Sequence, residues 1–436
     1  MKPPECDEYT LIDKFCQLIG FPWVNYGLTR TTRLGFYPLG SNPTALGGVY
    51  SRPIRDMYFS SRKPLPRYGV CQDEITRELE LPGVYPQVVI NARFLSRRIT
   101  GVERYAREVT RRLGERVAQR APAKGIQGLA GHLWEQVSLP ASLSWKSVLW
   151  SPANTGPLRV ANQVLTIHDL SPIDHPEWFK PAFAAWYRYF LPRLSRRVLK
   201  VIADSEFTRQ RLAAACGLPV ERVAVIPCGV DGKHFSPRPM EEVSAACHRY
   251  AISRPYFIAV GSFHARKNLE VLLLAWEHVI ARCEDISLVL VGEPGGAFRN
   301  HGIPNLQPGV KWAGYVEEND LPKLYSGALG LVYPSIYEGF GLPVLEAMGS
   351  GTPVITSNST AIPEVAGQAA LLVDPGRVEE IALAMESLIA SPELRRELSQ
   401  KGLARARLFS WDRTAQSVWA VLEQACESVQ SGERHP

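Results

Sequence analysis

The chain has 436 residues, a net charge of +6, 45% hydrophobic and 21% charged residues. That composition excludes a disordered or fibrous chain and fits about two or three globular domains. The eight cysteines are scattered with no C-x-x-C spacing, which argues against a zinc site and a disulfide framework.

Residues 1–86 show no sustained period beyond a short amphipathic stretch at Asp7–Ile19, and read as an N-terminal extension, loop-rich or partly disordered. Its first residues carry acids where a secretory signal carries basic and then apolar residues, and no apolar run in the chain reaches the roughly 18 residues that span a bilayer. A cytoplasmic chain is therefore expected. From Gln87 short apolar strands alternate with helices. Strands are predicted at Gln87–Arg93, Val148–Pro152, Gln163–Asp169, Val198–Ser205 and Val223–Pro227, and helices at Val102–Leu113, Glu177–Arg197 and Glu206–Cys216. The stretch Glu115–Gly131 looks short for a second strand with its loop. Pro237-Arg-Pro239 and the polar residues after it read as a linker. The alternation then restarts with strands at Tyr256–Gly261, Ser287–Gly292, Val310–Gly314, Ala328–Tyr333, Pro353–Thr356 and Ala370–Asp374, and with helices filling 377–425. This pattern predicts an α/β chain with two Rossmann-like, doubly wound parallel-sheet domains facing a cleft. The boundaries expected are 87–237 and 238–410, with a last helix at 411–425.

Charge is uneven: the segments 1–86, 87–240 and 241–436 carry +1, +12 and −7. A basic middle third suggests an anionic substrate or a membrane surface. The basic residues lack the recognition motifs of nucleic-acid binders. The stretch Trp178-Phe179-Lys180 to Trp186-Tyr187-Arg188-Tyr189-Phe190 fits either an interfacial helix or one that packs its aromatics into the core.

One stretch concentrates chemistry. Ser335-Ile-Tyr-Glu-Gly-Phe-Gly-Leu-Pro-Val-Leu-Glu346 lies between a predicted strand and a helix. Free N–H groups of such a turn, with the helix dipole, favour an anion such as phosphate. Glu338 and Glu346 can accept bonds from hydroxyls, although alone they also fit a helix cap and a surface carboxylate. Gly261-Ser-Phe-His-Ala-Arg-Lys-Asn268 likewise follows a strand and opens a helix. Cations at a helix N-terminus are unfavourable by up to about 1 kcal/mol unless an anion joins them, so Arg266 and Lys267 point to a diphosphate. His168 ends a strand and would face the cleft, though a lone His is more often structural. Gly101 would let backbone approach a ligand. No nucleophile elbow, H-E-x-x-H or P-loop is present. No G-x-G-x-x-G follows the first strand, which disfavours a nicotinamide dehydrogenase.

Together these motifs resemble the family 4 retaining glycosyltransferases of the GT-B fold, from about Gln87 to Gln424. The most specific part is Glu338-Gly-Phe-Gly-Leu-Pro-Val-Leu-Glu346, the family's Glu-x7-Glu signature. Ile99-Thr-Gly-Val-Glu-Arg-Tyr105, Thr166-Ile-His-Asp-Leu170, Ala203-Asp-Ser-Glu-Phe-Thr-Arg209 and Ile362-Pro-Glu-Val365 add to it. The resemblance implies a donor site for a nucleotide-diphosphate sugar. Arg266 and Lys267 would bind the diphosphate and Glu338 the sugar hydroxyls. Gly261, Gly339, Phe340, Gly341 and Leu342 would lie nearby. Glu346 would hold the ribose, Gly101 would sit under the phosphates, and His168 would stand near the reacting centre. Catalytic roles fall on His168, Glu338, Arg266 and Lys267. It also implies no metal and no further cofactor. Cys228 stands where relatives often have Asn. The function implied is transfer of a mannosyl-type hexosyl unit to a glycan or lipid-linked acceptor in polysaccharide or cell-envelope synthesis, by a cytoplasmic protein with peripheral contact to the membrane's inner face. A silent nucleotide-sugar-binding scaffold and an epimerase of the same fold are the alternatives.

Overall fold

The first six strands are β1 (Val88–Asn91), β2 (Val117–Arg120), β3 (Val148–Ser151), β4 (Gln163–Ile167), β5 (Lys200–Ala203) and β6 (Val223–Val225). They form one sheet in the order β2-β1-β3-β4-β5-β6. A second sheet contains β7 (Tyr256–Val260), β8 (Ser287–Val291), β9 (Val310–Gly314), β10 (Gly330–Tyr333), β11 (Val354–Ser357) and β12 (Leu371–Val373), in the order β12-β11-β10-β7-β8-β9. Every pairing is parallel, as in Val88 opposite Val148 and Leu331 opposite Ile258. The structure is a computed structural model that describes residues 88–432, except 98, 124–125, 127 and 293–306. The extension 1–86 and most of the Gly-Pro-rich loop after Gly292 lie outside the described residues. All described residues belong to one unit.

The strands are apolar because helices cover both faces of each sheet. β3 (VLWS) and β10 (GLVY) are buried along their whole length. Trp150, Tyr105, Trp276 and Tyr256 are fully buried at the centres of the two halves. The two Rossmann-like sheets agree with the expected architecture. Two local expectations are corrected. Glu115–Gly131 is long enough for a second strand: β2 occupies Val117–Arg120, a half-exposed edge whose Gln119 and Arg120 face out, so it lacks an apolar run. The polar residues after Pro239 are not a linker but the helix Met240–Arg249, which buries Val243, Ala246 and Cys247 at helical spacing.

Strand order reverses between β1 and β3 in the first sheet and between β7 and β10 in the second. Such a switch point leaves a crevice at the carboxyl ends of the two strands, because their connections leave in opposite directions. Arg266 and Lys267 follow β7, and the turn 338–341 follows β10. Gly101 follows β1 across from them. The helix Trp411–Ser431 runs from the second half back onto the helix Gly101–Leu113 and onto β3, β4 and β5. Ser410 caps it by accepting from the Arg413 N–H, and Trp411, Val418 and Leu422 are buried under it.

Candidate functional site

The chain after β7 makes a 3-10 turn at Ala265–Lys267, then Asn268 in a left-handed conformation (φ 57°) starts the helix Leu269–Ile280. This turn carries Arg266 and Lys267 to the carboxylate that follows β10. Arg266 Nη1 lies 2.8 Å from Glu338 Oε2, and Lys267 Nζ 2.5 Å from Glu338 Oε1. The Tyr333 hydroxyl donates to the same Oε1 at 2.9 Å. The anion that joins the two cations is thus Glu338 itself. Burial alone would raise the Glu338 pKa, but Arg266 and Lys267 outweigh it and hold the carboxyl down at about 2. Burial draws the Lys267 ammonium down to about 8, against the pull of Glu338. A partly buried cation pair compensated by one carboxylate keeps an excess positive charge, which suits a diphosphate.

The turn between the carboxylates has two requirements that only glycine meets. A Cβ on Gly339 would lie 1.8 Å from the His168 carbonyl oxygen, so the halves touch there. Gly341 takes φ 106° as the residue before the helix Leu342–Gly349, and a Cβ there would strike Ile362. Among the described residues, none accepts from the backbone N–H groups of Phe340, Gly341 and Leu342. These donors, at a helix N-terminus, are free for an anion. The Phe340 ring is buried in the core against Phe409, so only its backbone faces the turn. Leu342 approaches Gly101: a side chain added at Gly101 would sit 3.6 Å from Leu342 Cδ1. Gly261 adjoins the Lys267 side chain.

Glu346 occupies a different setting. Its Oε1 accepts from Arg104 Nη1 at 2.6 Å, and its Oε2 lies 3.4 Å from the Tyr325 hydroxyl. Burial raises its pKa, with Arg104 pulling the other way. Arg104 comes from the first half, on the helix Gly101–Leu113, whose Thr100–Glu103 capping box fixes the entry of the chain.

His168 lies where the halves meet, but its ring is turned inward and is 7% exposed. Nδ1 is 2.6 Å from Asp204 Oδ2 and Nε2 is 2.9 Å from the Pro152 carbonyl oxygen. Both partners are acceptors, so both ring nitrogens donate and the imidazolium form fits. Burial would lower its pKa, yet Asp204 raises it above the ordinary value. What His168 presents to the turn 338–341 is its backbone carbonyl.

Several further residues meet here; Ser205, Glu206, Phe207 and Glu364 lie in motifs quoted above, but the sequence assigned them no role. Ser205 donates to the Gly339 carbonyl at 2.7 Å. Glu364 accepts from the N–H groups of Glu206 and Phe207, both at 2.8 Å, and so caps the helix Glu206–Cys216 from the other half. The Tyr337 hydroxyl donates to Asp174 at 2.8 Å, and Arg211 pairs with the same carboxylate. Arg104 left a signal: it is a cation in the first turn of a helix, the same anomaly that drew attention to Arg266 and Lys267.

Comparison with known proteins identifies the family. The family described as "Glycosyltransferase Family 4" matches residues 142–233, and "Glycosyl transferases group 1" matches residues 249–405. The chain is 31% identical over 273 residues to O-antigen chain mannosyltransferase B of Escherichia coli, covering 60% of this chain and 70% of that protein. It is 32% identical over 268 residues to the MMP alpha-(1->4)-mannosyltransferase of Mycolicibacterium hassiacum, covering 58% of this chain and 61% of that protein. In fold it resembles Anabaena HepE, solved in complex with UDP and glucose, with a TM-score of 0.62 at 18% identity over 78% of this chain and 100% of that one. It also resembles WaaG, a glycosyltransferase involved in lipopolysaccharide biosynthesis, with a TM-score of 0.59 at 13% identity over 77% of this chain and 99% of that one. At such identities these structures speak for the fold alone. The chain belongs to the family 4 glycosyltransferases and is a hexosyltransferase of the GT-B fold.

Proposed function

We propose that this enzyme transfers a mannosyl unit, with retention of configuration, from a nucleotide-diphosphate sugar to a glycan or lipid-linked acceptor of a cell-surface polysaccharide. The observation that carries the donor reading is the meeting of Arg266, Lys267 and Glu338 beside free N–H groups at a switch point. Diphosphate departure is the step that most needs preorganised positive charge. Arg266, Lys267 and the N-terminus of the helix Leu342–Gly349 supply it, so no metal is required in this scheme. Glu338 then exchanges part of its bonding from the two cations to the sugar hydroxyls. The mannosyl preference follows the relatives named mannosyltransferases. The test is transfer of radiolabelled sugar from a panel of nucleotide sugars after dialysis against EDTA, with the product anomer read by NMR. Turnover from a mannose donor with an α product supports the scheme. Turnover that needs added metal, or an inverted product, defeats the corresponding part. Conversion of the donor without any acceptor would favour an epimerase, and donor binding with no turnover of any kind would favour a silent scaffold.

Contact with an anionic membrane face is a second part of the proposal. Trp186, Tyr187 and Phe190 turn toward the core of the first half, so the aromatics do not make that surface. The arginines do: Arg188, Arg193, Arg196 and Arg197 are exposed on the helix Pro181–Arg197. None has an acidic partner among the described residues. No helix among the described residues is long and apolar enough to cross a membrane, and peripheral attachment would rest on charge. Flotation with anionic vesicles at low salt, abolished in Arg193→Glu/Arg196→Glu/Arg197→Glu, is the expected result. Wild-type protein that stays soluble defeats this part.

A further inference from the structure

Arg104 is an ion-pair link between the halves beside the turn. Its Nη1 lies 2.6 Å from Glu346 Oε1, and its Nη2 lies 3.1 Å from Glu318 Oε1. The guanidinium lies over the Phe235 ring at 5.9 Å. With Glu346, Leu342 and Trp411 it lines a cavity of about 200 Å³ between the halves. A cation in the first turn of a helix opposes the dipole, so Arg104 is held there by the carboxylates facing it. Glu346 has about four acceptor sites on its two oxygens. Arg104 takes one and Tyr325 another, which leaves about two.

We propose that Arg104 is a positioning residue for the donor: it reaches across from the first half and fixes the Glu346 carboxylate, in its ionised form, to receive the two hydroxyls of a ribose. This rests on the reading of Glu346 as the ribose contact. The other charged and titratable groups around Glu346 explain why Arg104 matters. Glu108 shares the Arg104 helix, Tyr325 comes from the helix Leu321–Gly327, and Glu318 from the loop after β9. Asp231 and His234 come from the chain after β6, and His234 Nε2 is engaged with the Glu318 carbonyl oxygen at 3.0 Å. Without Arg104, burial and the Glu318 carboxylate favour a protonated Glu346. A protonated carboxyl donates one bond and accepts less well, so ribose recognition fails. Raising the pH then restores the carboxylate and the recognition.

The test is calorimetric titration of the full-length protein with GDP and UDP, each beside its 2′,3′-dideoxy counterpart. Wild type, Arg104→Ala and Arg104→Lys are compared across the whole pH range in which each variant stays folded. Wild type is expected to prefer the ribonucleotide by about tenfold or more, the worth of bonds to a charged acceptor, with no pH slope in that preference. Arg104→Ala loses the preference at low pH and regains it as pH rises; Arg104→Lys keeps it. In a Glu346→Gln background, Arg104→Ala changes the preference no further. An undiminished preference in Arg104→Ala overturns the assignment. So does a loss that neither higher pH nor lysine restores, or an added loss in the Glu346→Gln background. If wild type binds neither nucleotide, the donor-site reading itself fails. If it binds without preferring the ribonucleotide, the Glu346 contact fails.

Discussion

Glu338 opens the glycine turn and Glu346 lies on the helix that leaves it; both are buried, yet they are opposite electrostatic objects. Glu338 faces two cations and a tyrosine hydroxyl from its own half, and its pKa falls to about 2. Glu346 faces one guanidinium, delivered from the other half, and burial leaves its pKa raised. One of these settings is therefore assembled within the second half, whereas the other is completed only when the halves meet. Burial is common to both; the count and origin of the cations decide the sign.

The largest effect is expected at Glu338. Glu338→Ala leaves the partly buried Arg266 and Lys267 without their anion, a loss of about 3 kcal/mol, the lower end for a broken buried pair. Thermal unfolding should show it, and transfer should fall beyond detection. Glu338→Gln keeps the shape and removes the same charge, which separates the loss of charge from the cavity that alanine leaves. Stability near normal in Glu338→Gln and in Glu338→Ala alike would show that the cations do not depend on this carboxylate.

Lys267→Ala comes next. Losing one preorganised cation at the leaving group should cut the rate by about a hundredfold or more. The same residue sets a pH dependence. The protonated ammonium is the form that binds a diphosphate, and it titrates at about 8 in the free protein. Nucleotide affinity should be level with respect to Lys267 below that pH and fall above it, and Lys267→Arg should remove the fall. A flat profile in wild type would place Lys267 away from the phosphates.

Acid stability distinguishes the two carboxylates again. The Glu338 pKa is depressed relative to its ordinary 4.5, so its stabilisation is complete above that value and is lost as pH falls toward about 2. Glu346, with a raised pKa, opposes folding when ionised. Urea titrations across the acid range should show Glu338→Gln flattening the loss of stability that wild type suffers, while Glu346→Gln shows no such flattening.

The smallest effect should lie at the outer contacts between the halves. Glu364→Gln replaces one charged acceptor at the N-terminus of the helix Glu206–Cys216. Its cost should be about 1 kcal/mol, read as a rise of a few-fold in donor KM with little change in kcat. A fall in kcat equal to that of Lys267→Ala would make this contact part of the chemistry.

The two alternating strand-helix runs are legible in the chain, because parallel strands covered on both faces must be apolar along their length. The cation pair is legible because cations oppose a helix N-terminus, and the glycine turn because glycine allows close backbone approach. The sequence could not supply β2, whose exposed edge needs no apolar run, or the helix Met240–Arg249, whose three buried residues sit among charges after two prolines. Only the tertiary structure decided which charges meet. Glu338 lies 71 residues from Lys267, and Glu346 lies 242 residues from Arg104. No local period carries such pairings. They arise because two switch points open toward each other and the last helix ties the halves together. The inward turn of His168 was decided in the same way, since the Asp204 and Pro152 acceptors that hold its ring come from neighbouring strands.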